Sequence, residues 1–396
     1  MRKATYSIHV CCSLAATLIS FFSLLGAIDL GASETEKLSV PPKEIDGVRK
    51  NVLLPPGPNN PRNSEGDFIE LDDGRILFIY THFYGGSGDH DPARLAWRVS
   101  HDRGVTWSEE DEIIVEGEGD MNDMSVSLLR LDDGRIALFY LRKNSLEDLR
   151  PLLRISDDEA ETWSEPIEII TDEIAAYVVN NDRVIQTSSG RLVVPAALHQ
   201  GEDGSFLYRG KALCYLSDDN GETWRRSRTV LDMEQHPDDE TGLQEPGVVE
   251  LSDGRLMMFS RTDRGSQYIS FSDDEGDTWS PVEPSNIISP RSPASMKRIP
   301  STGDLLLVWN DHSELDPELE GRRRTPFTVA VSKDEGKTWT HRQNLENHPE
   351  GWYCYTAIAF VDEHVLLGHV AGRRSTPGRL ATTQITRFPV EWLYEN

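Results

Sequence analysis

Several charged residues stand where the chain otherwise reads as apolar strand. Arg62, Glu65 and Asp67 sit in N-P-R-N-S-E-G-D-F, just before or within a strand-like run. Asp182 and Arg183 lie in N-N-D-R-V-I, and Gln244 and Glu245 in G-L-Q-E-P-G-V-V-E-L. Arg261 ends G-R-L-M-M-F-S-R, and Arg324 ends the basic run of G-R-R-R-T-P-F. A charge drawn into an apolar setting is costly unless it is paired or put to use. Taken one at a time, each of these groups can fix packing by pairing or take part in a binding or proton-transfer site. No H-E-x-x-H, G-x-S-x-G or clustered Cys/His set occurs. That argues against a catalytic metal or a serine hydrolase. His82, His90, His199, His312 and His369 are scattered and read as ordinary polar residues. Trp309, in L-L-V-W-N-D-H, reads as core.

The elements that must position these residues repeat along the chain. Ser272–Trp279 is S-D-D-E-G-D-T-W, with turn chemistry in Asp and Gly and a Trp to fill an apolar slot beneath the loop. Copies start at Ser100, Ser156, Ser217 and Ser332, the second with Ala160 where the others have Gly. In phase with them run hairpin turns: L-D-D-G-R-I at Leu71–Ile76 and Leu131–Ile136, then variants at Ser188–Leu192, Leu251–Leu256 and Ser301–Leu305. A degenerate sixth copy is V-D-E-H-V at Val361–Val365. Each unit therefore reads as strand, D-G turn, strand, loop, strand, box, strand. Four antiparallel strands make one propeller blade, and six hairpins predict an all-β, six-bladed propeller over residues 48–396. The last unit lacks a box and a fourth strand, so Val48–Leu54 is expected to supply that strand and close the ring. Propeller sites lie at the central axis, where the charged strand starts converge.

The formal charge is −27, from 67 acidic and 40 basic residues. This argues against nonspecific nucleic-acid binding and against anionic membrane surfaces. Most of the acids fall in turns and read as solvated. Residues 1–33 read as a secretory signal: Arg2 and Lys3, an apolar core at Leu14–Ile28, and Gly31-Ala32-Ser33 as a cleavage site. An uncleaved anchor is the alternative. The expected location is secreted or periplasmic. Residues 34–47 read as a polar linker. Cys214 and Cys354 would remain after cleavage and read as buried small hydrophobes.

The boxes and the axis residues together resemble the sialidase (neuraminidase) superfamily, whose Asp-box repeats mark the fold rather than the activity. The resemblance covers essentially the whole chain after the expected signal. It implies three arginines holding a sugar carboxylate, matched here by Arg62, Arg261 and Arg324. At the first, the family's R-I-P is R-N-S. Planar guanidiniums with paired donors suit a carboxylate. The resemblance also implies a tyrosine nucleophile at Tyr355, with Tyr353 as the reserve on an expected shared strand face, and Glu245 to take its proton. The acid/base is Asp89 or Asp91, both in the glycine-rich G-G-S-G-D-H-D-P-A-R. Glu65, Asp182, Arg183 and Gln244 are expected beside the substrate. The implied activity is release of a terminal sialic (nonulosonic) acid from a sialylated or other acidic glycan, with retained configuration and no cofactor. The alternatives are a propeller hydrolase for another acidic or neutral sugar, and a non-catalytic carbohydrate-binding propeller.

Overall fold

The computed structural model describes residues 43–315, 323–375 and 378–395. Six antiparallel sheets follow one another along the chain. Their innermost strands, which meet around the axis, include Arg62–Glu70 in blade one, Asn122–Arg130 in blade two and Gln244–Glu250 in blade four. Ser295–Arg298 is the innermost strand of blade five, and Gly351–Val361 that of blade six. In blade three the inner position is filled by two short pieces, Tyr177–Val178 and Ile185–Gln186, both paired with Leu192–Gln200.

Val48–Leu54 pairs antiparallel with Thr383–Pro389 and completes blade six, as expected. The expected linker over 34–47 is shorter than that. Lys43–Ile45 forms a hairpin with Val48–Leu54, turned by Asp46 and Gly47 at φ 50° and 79°. Two consecutive left-handed residues make the tight turn that matches strand twist. Residues 34–42 and the expected signal at 1–33 lie outside the described residues.

An apolar layer fills each junction between adjacent blades. Leu54, Phe68, Phe78 and Leu366, for example, join blade six to blade one. The boxes cap these layers. In Ser272–Trp279, Asp274 accepts from the Thr278 N–H and hydroxyl, each at 2.7 Å, and the Ser272 hydroxyl accepts from the Gly276 N–H at 2.8 Å. Gly276 sits at φ 91°, where only glycine avoids a steric cost. The loop so fixed drives Trp279 into the layer between blades three and four. Trp339 does the same between blades four and five, and Trp163 packs at the layer between one and two. Apart from the turn of 3-10 helix at Val390–Tyr394, the secondary structure among the described residues is all β.

Candidate active site

Four inner strands share a backbone irregularity close to the axis. Glu65, Ser125, Glu245 and Tyr355 have φ of 56°, 59°, 48° and 55°. Each lies at a register shift between the inner strand and its neighbour. Such bulges re-aim a side chain that a regular strand would send elsewhere. All four side chains line one pocket of about 360 Å³, large enough for a sugar unit.

Tyr355, from blade six, and Glu245, from blade four, meet in this pocket. The phenol donates to Glu245 Oε1 at 3.2 Å, and Arg261 Nη1 pairs with the same oxygen at 2.6 Å. The Arg324 guanidinium lies over the Tyr355 ring at 5.2 Å and over Trp352 at 5.0 Å. Burial raises the phenol's pKa above its ordinary value, and the Glu245 charge adds to the effect. Arg324 and Arg261 act in the opposite direction. Tyr355 is therefore a protonated phenol hydrogen-bonded to the Glu245 carboxyl group. Asn181 Nδ2 donates to the carbonyls of Gly66 and Tyr355 at 2.9 and 3.2 Å, tying the tyrosine's backbone across the axis.

Arg62 is buried behind this pocket and does not line it. Its Nε donates to Ser64 Oγ at 3.1 Å, Nη1 to Asp89 Oδ1 at 2.5 Å and to the Ser87 carbonyl at 3.3 Å, and Nη2 to Glu65 Oε1 at 3.1 Å. The first of the three expected clamp arginines thus spends four of its five N–H donors within the protein. Glu65 lines the pocket, and burial pushes its carboxyl up to about 7, against the pull of Arg62. Asp89 differs. Burial works to raise it, but Arg62 prevails and holds it below the usual carboxylate range.

Other expectations about position require correction. Tyr353 does not share a face with Tyr355. The bulge after Cys354 breaks the alternation, and Tyr353 packs in the blade core 5.8 Å from Phe327. Asp182 and Arg183 do not line the pocket. Asp182 pairs with Lys297 and accepts from the Ile358 N–H at 2.8 Å, while Arg183 Nη2 donates to the Ala294 carbonyl at 2.7 Å. Their charges join blades three, five and six. Asp91 accepts from the Gly88 N–H at 2.7 Å and shapes its own loop, leaving Asp89 as the loop aspartate at the pocket wall. Gln244 is in the pocket wall, held by a 2.8 Å bond from Nε2 to the Tyr208 carbonyl.

The comparisons with known proteins bear on this arrangement. The family of BNR repeat-like domains matches residues 97–367. The chain belongs to the sialidase superfamily. It is 30% identical over 242 residues to a sialidase of Paraclostridium sordellii, covering 54% of this chain and 56% of that protein. It is 29% identical over 243 residues to a sialidase of Clostridium perfringens, with 54% and 60% covered. The chain thus spans about half the length of the curated relatives it matches. Among solved structures, Trypanosoma rangeli sialidase in complex with 2,3-difluorosialic acid, described as a covalent intermediate, superposes with a TM-score of 0.68 at 16% identity. That match covers 89% of this chain and 60% of the other. Hadza microbial sialidase Hz136 gives a TM-score of 0.67 at 20% identity, covering 84% and 66%. These structural likenesses show the fold.

Several pocket residues of this superfamily member escaped sequence reasoning. Lys143 Nζ donates to the Asp89 carbonyl at 3.2 Å and contacts His90 Nδ1 at 2.5 Å, and Asn122 Nδ2 donates to the same carbonyl at 3.2 Å. Together they pin the Asp89 loop to blade two. Met124, Leu141, Leu149, Ala176 and Val178 form an apolar wall on blades two and three. Trp352 and Arg379 line the blade-six side. Trp352 precedes the nucleophile candidate by three residues, so its neighbourhood was a usable signal. Lys143 and Arg379 lie on other elements, with no local pattern to mark them.

Proposed function

We propose that this protein is a sialidase-like glycoside hydrolase that releases a terminal α-linked nonulosonic acid with retained configuration. The observation carrying this reading is the Tyr355 phenol bonded at 3.2 Å to Glu245, with Arg261 and Arg324 beside the pair at the base of a sugar-sized pocket. Glu245 takes the phenolic proton as the tyrosine oxygen bonds to the anomeric carbon. The glycosidic bond breaks, and its oxygen receives a proton from Asp89. Water then attacks the same carbon, its proton passes to Asp89, and the departing tyrosine oxygen recovers its proton from Glu245. A phenol suits an anomeric carbon that already bears a carboxylate, because an attacking carboxylate would be repelled. The apolar wall opposite the guanidiniums suits an acyl substituent on the far side of the sugar ring.

Because Arg62 holds Asp89 below the usual range, its protonated form grows scarcer as pH rises, and kcat/KM should fall with rising pH on the acidic side of neutrality. Hydrolysis of a fluorogenic sialoside, with the first-formed anomer followed by NMR, tests the reading. Turnover with retention supports it. Binding without turnover of any glycoside in a broad panel supports a lectin instead. The engagement of Arg62 with four protein acceptors favours, as a second reading, a hydrolase of the same scaffold acting on another acidic sugar. We also propose that residues 1–33 direct export and are removed, which the N-terminal sequence of the mature protein checks.

A further inference from the structure

The expected clamp needs three guanidiniums free to meet a carboxylate, and Arg62 is not free. Four protein acceptors surround it, two of them carboxylates. A ligand carboxylate brought to Arg62 would have to displace Glu65 or Asp89 and would meet whichever acid kept its charge. Arg261 is partly engaged, through Nη1 and Glu245, while its Nε has no partner. Arg324 is the opposite case. It is buried, it lines the pocket, and its Nε and Nη1 have no hydrogen-bond partner among the described residues. Unsatisfied buried donors of a fixed cation mark a place for an anion.

A second cation faces the Trp352 indole, as Arg324 does. Arg379 lies between two strands of blade six, His364–Arg373 and Thr383–Pro389, and lines the same pocket. Its guanidinium carbon sits 4.8 Å from the Trp352 ring, against 5.0 Å for Arg324. Among the described residues Arg379 has no carboxylate partner. Stacking on one indole orients both planar forks while leaving their N–H edges available. Trp352 itself is held by the parallel bridge between its backbone and that of Arg324.

We infer that the substrate carboxylate is held by Arg324 and Arg379, both stacked on Trp352, with Arg261 beside them, and that Arg62 serves instead to position Glu65 and the Asp89 loop. The inference rests on the proposed function in taking an acidic sugar as ligand, but it does not depend on which acidic sugar. The clamp has moved from blade one to blade six, which leaves Arg62 free to order the acid/base loop through Asp89 and Ser87.

The test is calorimetric titration of the intact protein and of Arg379→Gln with 2-deoxy-2,3-didehydro-N-acetylneuraminic acid, its uncharged carboxamide, and a panel of hexuronic acids. Gln keeps some polarity on a shorter side chain and removes the charge. The expected result is binding of the didehydro acid by the wild type, about tenfold weaker in Arg379→Gln, with carboxamide affinity unchanged. A loss of that size is the low end for a hydrogen bond to a charged group, as suits an exposed arginine. Equal affinity of both proteins for the acid overturns the inference and leaves the proposed function standing. Binding of a hexuronic acid alone, weakened in the variant, overturns the nonulosonic reading and supports the clamp. Binding of no acidic sugar overturns both. Trp352→Phe keeps an aromatic face and should weaken acid binding less than Arg379→Gln does. A larger loss in Trp352→Phe contradicts the stacked clamp.

Discussion

The rim and the axis of this propeller use repetition in opposite ways. At the rim, the boxes repeat both backbone and side chains: Asp158, Asp219, Asp274 and Asp334 each accept from the Thr four residues on. At the axis, four bulges repeat the backbone, but the side chains they present are Glu65, Ser125, Glu245 and Tyr355. Identical chemistry at the rim builds a ring. Unlike side chains on a common kink build a site. The rim should thus govern stability with little effect on chemistry, and the axis the reverse.

Exchange at the axis should have the largest effect. Tyr355→Phe and Glu245→Gln should each lower kcat by about 10³-fold or more, with melting temperature close to wild type. Combined, they should lose little more than either alone, because both serve one step. Tyr353→Phe should keep most activity, since that ring packs in the blade core. Equal losses at Tyr353 and Tyr355 would erase the distinction that the bulge draws.

Asp274→Ala breaks the rim instead. Loss of its bonds to Thr278 and Ser272 should cost about 2–3 kcal/mol in denaturant unfolding, with kcat/KM of the remaining folded protein unchanged. A large kinetic effect without destabilisation would reverse the division of labour.

Glu65→Gln lies between the two cases. The folded carboxyl titrates at about 7, above its ordinary value of 4.5, because burial disfavours its charge. Between those pH values the native state holds a proton that the unfolded chain has released. Stability from this group is therefore full below pH 4.5 and lost as pH rises through 7. The isosteric amide removes the titration, so the fall in stability between pH 5 and pH 8 should shrink by about 2 kcal/mol. An unchanged pH dependence of unfolding contradicts the buried, proton-holding Glu65.

The smallest change is Ala160→Gly. Ala160 sits at φ 65° where the other boxes have glycine, and restoring glycine should stabilise the fold by about 1 kcal/mol. A loss of stability would mean that the Ala160 methyl, packed near the layer between blades one and two, matters more than its backbone strain.

The same contrast decides how much was legible in the sequence. Box chemistry is local, so Ser, Asp, Gly, Thr and Trp at fixed spacing revealed the blades, and the missing fourth strand of blade six pointed to Val48–Leu54. The Asp46-Gly47 hairpin carried the same local signal inside a stretch read as linker. Axis residues could be picked out as charges in apolar runs, but their partners could not. Asp182 and Arg183 look like Glu65 in the sequence, yet Lys297 and the Ala294 carbonyl, more than 100 positions away, use them for packing. The placement of Tyr353 failed because strict alternation holds only for a regular strand, and a bulge adds one residue. Arg379 and Lys143 reach the pocket through the closure of the ring, which no local pattern encodes.

The central claim is that the blade-six bulge aims Tyr355, and not its neighbours, at the reacting carbon. Incubation with a 3-fluoro sialosyl fluoride that stalls the covalent intermediate, followed by peptide mass mapping, tests it most directly. We expect one label, on Tyr355, absent in Tyr355→Phe and slowed in Glu245→Gln. A label on Tyr353 or on a carboxylate, or an unlabelled enzyme that turns over sialoside with inverted configuration, would contradict it.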